Sequence, residues 1–269
     1  MILALAQLDQ TAGDVAGNLR RAERAVADAA ERGADLVALP ELFTVGYFAF
    51  ESYAREADGL DGETFVRLGE MAADHDVGLL AGSHVEDLEA SAEAGYDVPG
   101  TDGLANTSVF FDRDGDQRAV YRKHHLFGYE SAESRLLTPG NVLETVSFEG
   151  FEVGMTTCYD LRFPELYRSL AEAGATLVLV PSAWPYPRVE HWQTLPRARA
   201  IENLCYVATV NGAAQFDESR LLGRSTVFDP WGTPLASAGD DPTLVTTEVD
   251  PERVAAVREE FPAWSDRRE

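Results

Sequence analysis

The sequence predicts an α/β protein, in which helices cover the faces of β-sheets. Short apolar runs alternate with helical stretches along all 269 residues, and no repeat or linker interrupts the alternation. This pattern is typical of sheets that are covered by helices. Hydrophobic residues make up 45% of the chain, which is enough for a buried core. We therefore expect one domain over residues 1–269.

Hydrophobic periodicity assigns the elements in chain order. Residues 14–32 form an amphipathic helix, because apolar side chains recur on one face, and Gly33 provides its stop signal. Asp114-Gly115 predicts the turn of a hairpin. The other predicted elements follow from the apolar runs: strands at 2–8, 34–39, 77–81, 106–112, 117–122, 152–157, 175–180, 206–210 and 225–228, and helices at 62–75 and 163–173.

Residues 86–103 interrupt this order. The segment is acidic and rich in Gly, Ala and Asp, and such stretches are typical of loops. We predict a solvated insertion there and assign it no function.

The charge of the chain excludes several classes of partner. It carries 46 acidic and 22 basic residues, a formal net charge of -24. This balance argues against binding to nucleic acid or to an anionic membrane, because both require a basic surface. The acid is spread along the whole chain, and Lys123 is the only lysine. Such a composition indicates adaptation to high salt, where charges are screened over about 3 Å at 1 M.

The sequence also predicts a soluble cytoplasmic protein. The segment from Met1 to Gln7 lacks the basic flank, long apolar stretch and cleavage site of a signal peptide. No apolar run approaches the roughly 20 residues that a membrane span needs. The only cysteines are Cys158 and Cys205, which are too few for a disulfide framework.

Cys158 lies between a predicted strand and a predicted helix. It follows the strand at 152–157, and Pro164 suits the first turn of the next helix. A side chain on such a sharp turn is held above the sheet, as in nucleophile elbows. Most intracellular cysteines are small buried hydrophobes, and this is our prediction for Cys205, which lies inside an apolar run.

Two further residues fit the same chemistry. Glu41 ends a buried strand, where open α/β sheets place their sites, and desolvation there raises the pKa of a carboxyl and makes it a useful base. Lys123 supplies a compact ammonium. A base, a nucleophile and a cation for the developing oxyanion are what amide hydrolysis requires. We therefore predict an amide-hydrolysing enzyme that uses neither metal nor cofactor, and we expect the nearby ammonium to favour the Cys158 thiolate.

Three motifs, in this order, carry a resemblance to a known family: Leu39-Pro-Glu-Leu-Phe43, Arg122-Lys-His-His-Leu-Phe127 and Thr157-Cys-Tyr-Asp-Leu-Arg-Phe-Pro-Glu165. With them the sequence resembles the nitrilase superfamily of carbon–nitrogen hydrolases. The resemblance covers nearly the whole chain, from Gln7 to Asp229-Pro-Trp-Gly232. It implies a four-layer α-β-β-α sandwich that assembles as a homodimer or a higher homo-oligomer.

The resemblance also implies a role for each matching residue. Cys158 is the nucleophile, Glu41 the general base and Lys123 the oxyanion stabiliser. Glu133 matches an additional glutamate that orients Lys123 and the substrate. The backbone amide of Tyr159 is expected to be a second oxyanion donor.

Residues 183–203 are similar to the branch that holds omega-amidases. The resemblance therefore implies a small carboxylate-bearing amide as substrate, with water releasing the acid from a thioester. Trp184 is expected in the pocket wall or in dimer packing. Arg162 and Arg188 are candidates for binding the substrate carboxylate, although structural ion pairing has the greater weight. Pro196 departs from the pattern and is expected to bend or delay its helix, and, like the 86–103 segment, to lie where it reshapes the pocket mouth.

Several alternatives stay open at this point. The substrate can instead be an N-carbamoyl compound, deaminated glutathione or a nitrile. His124, His125 and His191 leave room for a histidine-assisted cysteine hydrolase, whereas a metal site is disfavoured because adjacent histidines on an extended chain point to opposite sides. A catalytically silent scaffold or sensor is the alternative from another class of protein.

Overall fold

The computed structural model describes residues 1–128, 131–217 and 219–268. Within these ranges two mixed sheets lie face to face, and helices cover the outer face of each. The strands are β1 (Ile2–Gln7), β2 (Leu36–Ala38), β3 (Gly78–Leu80), β4 (His84–Asp87), β5 (Leu104–Phe111), β6 (Gln117–Arg122), β7 (Thr145–Phe148), β8 (Phe151–Met155), β9 (Leu177–Ser182), β10 (Tyr206–Asn211), β11 (Gln215–Phe216), β12 (Ser219–Arg220), β13 (Thr226–Phe228), β14 (Pro234–Ser237) and β15 (Thr243–Glu248). The α-helices are α1 (Val15–Glu31), α2 (Tyr53–Glu56), α3 (Glu63–Asp74), α4 (Leu88–Glu93), α5 (Glu133–Leu136), α6 (Pro164–Glu172), α7 (Val189–Asn203) and α8 (Pro251–Glu260).

Each of the two sheets has three parallel strands in its middle and antiparallel strands on both sides. In the first, the order is β15-β1-β2-β3-β5-β4, with β6 paired to β5; in the second it is β14-β13-β10-β9-β8-β7. Strands β1, β2 and β3 run parallel to one another, as do β8, β9 and β10. Glu41 follows the carboxyl end of β2, and Cys158 follows that of β8. Ligand-binding and catalytic sites of α/β folds usually lie at this end of the parallel strands.

The core is divided into layers by the two sheets. Leu3, Leu36 and Leu80 of the first sheet pack between the sheets with residues such as Met155 and Leu179 of the second. The outer face of the first sheet packs against α1 and α3, and that of the second against α6 and α7. This arrangement confirms the predicted four-layer α-β-β-α sandwich.

Local signals explain why the helices form where the periodicity predicted them. Asp14 caps α1, because its side chain accepts a hydrogen bond from the Gly17 amide at 3.0 Å. Gly33 ends the same helix with φ of +80°, a conformation that glycine adopts without strain. Pro164 occupies the first turn of α6. The predicted helices and strands are confirmed to within about two residues at their ends.

The prediction of a solvated insertion at residues 86–103 is wrong for its first half. Glu86 and Asp87 belong to β4, and α4 follows directly with Leu88 and Ser91 buried. The Asp87 side chain accepts from the amides of Glu89 and Ala90 and so begins the helix. The segment contains alanine and glutamate, which both favour helices. Its acidic composition indicates a loop, and the prediction overlooked this helix propensity.

The prediction that Pro196 delays its helix is also wrong, since α7 begins at Val189 and continues through the proline to Asn203; the predicted bend stays a prediction. The proline lies on the buried face of the helix. None of the helices in the described ranges combines the length and the apolar character that a membrane crossing demands.

Candidate active site

Cys158 lies on a sharp turn between β8 and α6. It opens a short 3-10 helix, Cys158–Arg162, and its backbone φ is +47°. For a residue with a Cβ atom this left-handed conformation costs about 1–2 kcal/mol, so surrounding contacts have to hold it. The Thr157 amide donates to the Asp160 carboxylate at 3.0 Å, and the Asp160 amide donates to the Thr157 carbonyl at 3.0 Å. These two bonds fix the turn around the thiol.

The Asp160 carboxylate also connects this turn to the segment that carries Lys123. It is buried and accepts hydrogen bonds from the Tyr121 hydroxyl at 2.6 Å and from the His125 amide at 2.9 Å. Tyr121 and His125 stand on either side of Lys123 in the sequence. One shared carboxylate therefore holds both the cysteine turn and the lysine segment.

Lys123 lies between two buried carboxylates. Its Nζ donates to Glu41 Oε1 at 2.8 Å and to Glu133 Oε1 at 2.7 Å. All three residues are at most 1% exposed, and buried charges persist in proteins when they are paired in this way. Glu41 comes from the end of β2 and Glu133 from the start of α5. The structure thus brings together three of the four residues that the sequence marked as catalytic.

Neutral donors complete the hydrogen bonding of both carboxylates. Glu41 Oε2 accepts from the Ala183 backbone amide at 2.8 Å, and Glu41 Oε1 accepts from the Asn106 side-chain amide at 2.9 Å. Glu133 Oε2 accepts from the Tyr47 hydroxyl at 2.8 Å. The carboxylates are therefore held in fixed orientations.

The buried cluster keeps its ammonium charged and makes Glu41 more basic. Burial raises the pKa of the Glu41 carboxyl, while Lys123 opposes this effect and Glu133 adds to it. Burial by itself would lower the pKa of Lys123, but Glu133 and Glu41 outweigh it, so this pKa lies well above its ordinary value. The site therefore offers a fixed positive charge beside a carboxylate that accepts a proton readily.

Cys158 is the fourth member of this group. Cys158 is 8% exposed. The Glu41 carboxylate and the Ala183 amide both lie close enough to its thiol to shift the thiol pKa. Burial raises the pKa of this thiol well above its ordinary value; Glu41 adds to the shift, and Lys123 only partly opposes it. The ammonium lowers the thiol pKa, as expected, but desolvation and Glu41 outweigh it, so that the net pKa is raised. The resting group is a neutral thiol that needs a base.

The thiol and the ammonium face a cavity of about 350 Å³. Glu41 and Glu133 are not part of its lining and contact Lys123 from the protein interior. The other predicted site residues line the cavity, namely Lys123, Cys158, Tyr159, Arg162, Trp184 and Arg188. The remaining lining is mostly aromatic or apolar: Tyr47, Phe48, Phe50, Phe127, Ala183, Pro185 and Tyr186, with Ser131 and Ser219.

The two arginines of the cavity have aromatic neighbours in place of acidic ones. The Arg162 guanidinium carbon lies 5.0 Å from the Trp184 ring centroid and 5.6 Å from that of Tyr159. The Arg188 guanidinium lies 5.5 Å from the centroid of Phe127. Neither arginine forms an ion pair with any acidic residue in the described ranges. Within these ranges both guanidinium groups therefore lie beside aromatic rings of the cavity lining.

The histidines of the sequence lie outside the cavity lining. His124 stacks on Tyr121 at 5.4 Å between centroids, and the His125 Nδ1 atom is 2.9 Å from Asp160. The Arg162 guanidinium donates to His191 at 3.2 Å. Within residues 1–128, 131–217 and 219–268, no group of three or more His, Cys, Asp or Glu side chains is placed to hold a metal ion.

Two sequence expectations about the pocket are wrong. Neither the segment at 86–103 nor Pro196 contributes to the lining of this cavity.

The family model for carbon–nitrogen hydrolases matches residues 2–259. The chain belongs to the carbon–nitrogen hydrolase family. This hydrolase is 37% identical over 239 residues to the 2-oxoglutaramate amidase of Paenarthrobacter nicotinovorans, and the alignment covers 87% of this chain and 79% of the relative. It is 35% identical over 276 residues to the omega-amidase NIT2 of Mus musculus, and this alignment covers 99% of this chain and 94% of the relative.

A solved structure supports the same conclusion. The fold matches that of Saccharomyces cerevisiae Nit3, a member of branch 10 of the nitrilase superfamily, with a TM-score of 0.88 and 31% identity; the match covers 100% of this chain and 97% of Nit3. The predicted membership of the nitrilase superfamily is confirmed. This carbon–nitrogen hydrolase is thus an enzyme that acts on carbon–nitrogen bonds other than peptide bonds.

Sequence reasoning missed four groups of the site in this hydrolase. They are the Asn106 amide, the Tyr47 hydroxyl, the Ala183 backbone amide and the Asp160 carboxylate. Asn106 had a weak signal, because it is the first of three consecutive polar residues inside the otherwise apolar strand β5. The Ala183 amide had none, since any residue except proline supplies a backbone N–H.

Proposed function

We propose that this carbon–nitrogen hydrolase is an omega-amidase-like enzyme, which releases ammonia from the terminal amide of a small carboxylate-bearing compound. One observation carries the proposal. The Cys158 thiol, the Glu41 carboxylate and the Lys123 ammonium meet beside a cavity that two arginines also line. The substrates in the names of its relatives, 2-oxoglutaramate amidase and omega-amidase, support this class.

In the first half of the reaction, Glu41 takes the proton of the Cys158 thiol while the sulfur attacks the amide carbon. The carbonyl oxygen becomes an oxyanion, which the Lys123 ammonium and the Tyr159 backbone amide stabilise. Glu41 then gives the proton to the leaving nitrogen, so that ammonia departs and the acyl group stays on the sulfur as a thioester. The base is needed because the raised thiol pKa leaves little thiolate at neutral pH.

In the second half, a water molecule replaces the ammonia. Glu41 takes a proton from this water, which attacks the thioester carbon, and the same two donors stabilise the second oxyanion. The sulfur leaves and recovers its proton from Glu41, and the carboxylic acid product is released. Glu133 orients Lys123 throughout, because its Oε1 atom holds the ammonium at 2.7 Å.

Arg162 and Arg188 are the groups that we assign to the carboxylate of the substrate. A guanidinium binds a carboxylate through two parallel hydrogen bonds. The 350 Å³ cavity lies at the lower end of the range for small-molecule sites, which suits a short acid. Both arginines are half-buried beside aromatic rings, so the electrostatic attraction is stronger there than in bulk solvent.

The experiment that tests this function measures ammonia release from a panel of small amides, ureido compounds and nitriles. We expect turnover to be fastest with amides that carry a second, carboxylate end, and to disappear in Cys158→Ala. Cys205→Ala is the matched control, since that thiol is buried in the core beside α6 and α7. Turnover in Cys158→Ala, or a preference for neutral nitriles, would contradict the proposal.

We further infer a cytoplasmic homodimer adapted to high salt, folded as one domain over residues 1–269. The net charge of -24 with a single lysine supports the salt adaptation. The pairing of β15 with β1 supports a single domain, because it joins distant parts of the chain in one sheet. Size measurement in solution tests the dimer.

A further inference from the structure

The Asn106 side chain bridges the two carboxylates that hold Lys123. Its Nδ2 atom donates to Glu41 Oε1 at 2.9 Å and approaches Glu133 Oε1 at 3.4 Å. These are the same two oxygen atoms that Lys123 Nζ contacts at 2.8 and 2.7 Å. Each of these two carboxylate oxygens therefore accepts hydrogen bonds from the charged Lys123 Nζ atom and from the neutral Asn106 Nδ2 atom.

The backbone of Asn106 reinforces this contact. Asn106 lies in β5, and its carbonyl oxygen accepts a hydrogen bond from the Lys123 amide at 2.9 Å. Its register partner in β4 is Val85. Both the side chain and the backbone of this asparagine are thus tied to the lysine and its carboxylates.

Fold stability alone does not account for an asparagine at this position. The residue is fully buried, and its Oδ1 atom has no hydrogen-bond partner among residues 1–128, 131–217 and 219–268. An unpaired buried oxygen is unfavourable. An aliphatic side chain in the strand would avoid this cost, but it would leave Glu41 Oε1 without its second donor.

We propose that Asn106 is a positioning residue, whose amide nitrogen fixes the Glu41 carboxylate in the orientation and the ionised state that proton transfer from Cys158 requires. The proposal rests on the function given above, in which Glu41 is the base. Asn106 does not line the cavity, so it acts through Glu41.

The charges around Glu41 explain why a neutral donor is needed. Lys123, Glu133 and Cys158 face it, and the hydroxyls of Tyr47 and Tyr53 lie near the same cluster. One ammonium shared by two carboxylates leaves an excess negative charge, which favours protonation of Glu41. A neutral N–H that donates to the ionised carboxylate opposes this protonation, and an aspartate in its place would promote it.

The test is the pH profile of kcat/KM in Asn106→Leu, measured with the best amide of the wild-type enzyme. Loss of a donor to the ionised form raises the pKa of Glu41, so the acid limb should move to higher pH. Hydrogen bonds to charged groups affect equilibria on the order of 10- to 100-fold, and we expect kcat to fall by that factor while KM changes little. A variant with wild-type kcat and an unmoved limb would overturn the proposal.

Ser108→Ala is the matched control. Ser108 lies two residues further along β5, on the same face and fully buried, and its hydroxyl has no partner within the described ranges. Its removal should leave both kcat and the acid limb unchanged. If it shifts the limb as Asn106→Leu does, the effect belongs to the strand and the proposal fails.

Asn106→Asp covers the case in which the leucine variant does not fold. It keeps the shape of the side chain but adds a carboxylate beside Glu41 and Glu133, so the acid limb should again move to higher pH. Failure of both variants to fold, with Ser108→Ala folded, would assign Asn106 a purely structural role and overturn the proposal. A wild-type enzyme without amidase activity would instead contradict the proposed function itself.

Discussion

At the scale of single residues, Glu41 has to hold Lys123 and also exchange protons with Cys158. Its two oxygens accept from Lys123, Asn106 and the Ala183 amide. A carboxylate offers about four acceptor positions, so one remains for the thiol proton. The same carboxylate therefore serves as both a structural acceptor and the proposed base.

The raised pKa of Glu41 predicts where activity is lost in acid. Glu41 must be ionised to take the thiol proton, and burial raises its pKa above the ordinary 4.5. As pH falls through this raised pKa, the base is protonated and kcat/KM declines. We expect the acid limb of the kcat/KM profile above pH 4.5, and loss of activity in Glu41→Gln. A limb below that value, or an active Glu41→Gln variant, would exclude Glu41 as the base.

Substitution of the cavity arginines should separate binding from chemistry. In Arg162→Leu and Arg188→Leu, KM for a carboxylate-bearing amide should rise about 10- to 100-fold, since a hydrogen bond to a charged group contributes about 1.5–3 kcal/mol. For a neutral amide of the same length, KM should change little. Steady-state kinetics on the two substrates provide the comparison. An equal loss on both would show that the arginines support the fold and not the substrate carboxylate.

At the scale of elements, the edge of the first sheet depends on a buried ion pair. Arg122 of β6 donates to the Glu86 carboxylate through Nε at 2.6 Å and through Nη2 at 2.7 Å. The Thr107 hydroxyl of β5 donates to the same carboxylate at 2.6 Å. Glu86 thus joins three strands, and its segment cannot behave as a loose insertion.

Loss of this ion pair should destabilise the fold strongly. Arg122→Leu leaves Glu86, which is fully buried, without its cation, and an unpaired buried charge costs about 3–5 kcal/mol. Arg32→Leu is the control, because its pair with Asp28 is about half exposed and contributes about 0.5 kcal/mol or less. Urea unfolding measures both changes. Similar losses of unfolding free energy in the two variants would mean that removing the cation of buried Glu86 costs no more than breaking an exposed ion pair.

Most elements could be predicted because their signals are local. Helix α1 has an apolar face, an aspartate cap and a terminal glycine, and each is readable from the sequence. The partners of Glu86 are not readable in this way, since Arg122 is distant in sequence and reaches Glu86 only through strand pairing. The same limit applies to the site: Cys158, Glu41 and Lys123 were found, whereas Asn106 and Ala183 were not.

The effect of Lys123 on the Cys158 thiol was predicted, whereas the two effects that oppose it were missed. Lys123 by itself would lower the thiol pKa of Cys158, as predicted. Burial and the Glu41 carboxylate both raise that pKa, and together they outweigh the ammonium. The amount of desolvation depends on the packing around the sulfur, which no local sequence pattern gives.

At the scale of the whole molecule, the dominant feature is the net charge of -24. Self-repulsion of this size destabilises a compact state, and salt reduces it. The arginines form ion pairs over much of the surface, such as Arg67 with Glu23 and Arg113 with Asp35. These pairs do not offset the excess of acidic residues.

We therefore expect the fold to be more stable in molar KCl than in dilute buffer. The thermal midpoint should rise by several degrees, since 1 kcal/mol corresponds to about 2–4 °C at this chain length. A variant that replaces exposed acids by their amides should respond less to salt, for example at Glu31, Asp61, Glu93 and Glu259. Equal midpoints for the wild-type protein at low and high salt would exclude salt adaptation.

Strand β1 lies between β2 and β15 and pairs with β15 along its whole length, from Ile2 to Gln7. During synthesis, this first strand leaves the ribosome long before residues 243–248 exist. Its outer edge is therefore open to other chains until translation is nearly finished. Premature termination before residue 243 should consequently yield aggregating polypeptide, even though every residue of the proposed catalytic cluster is already present.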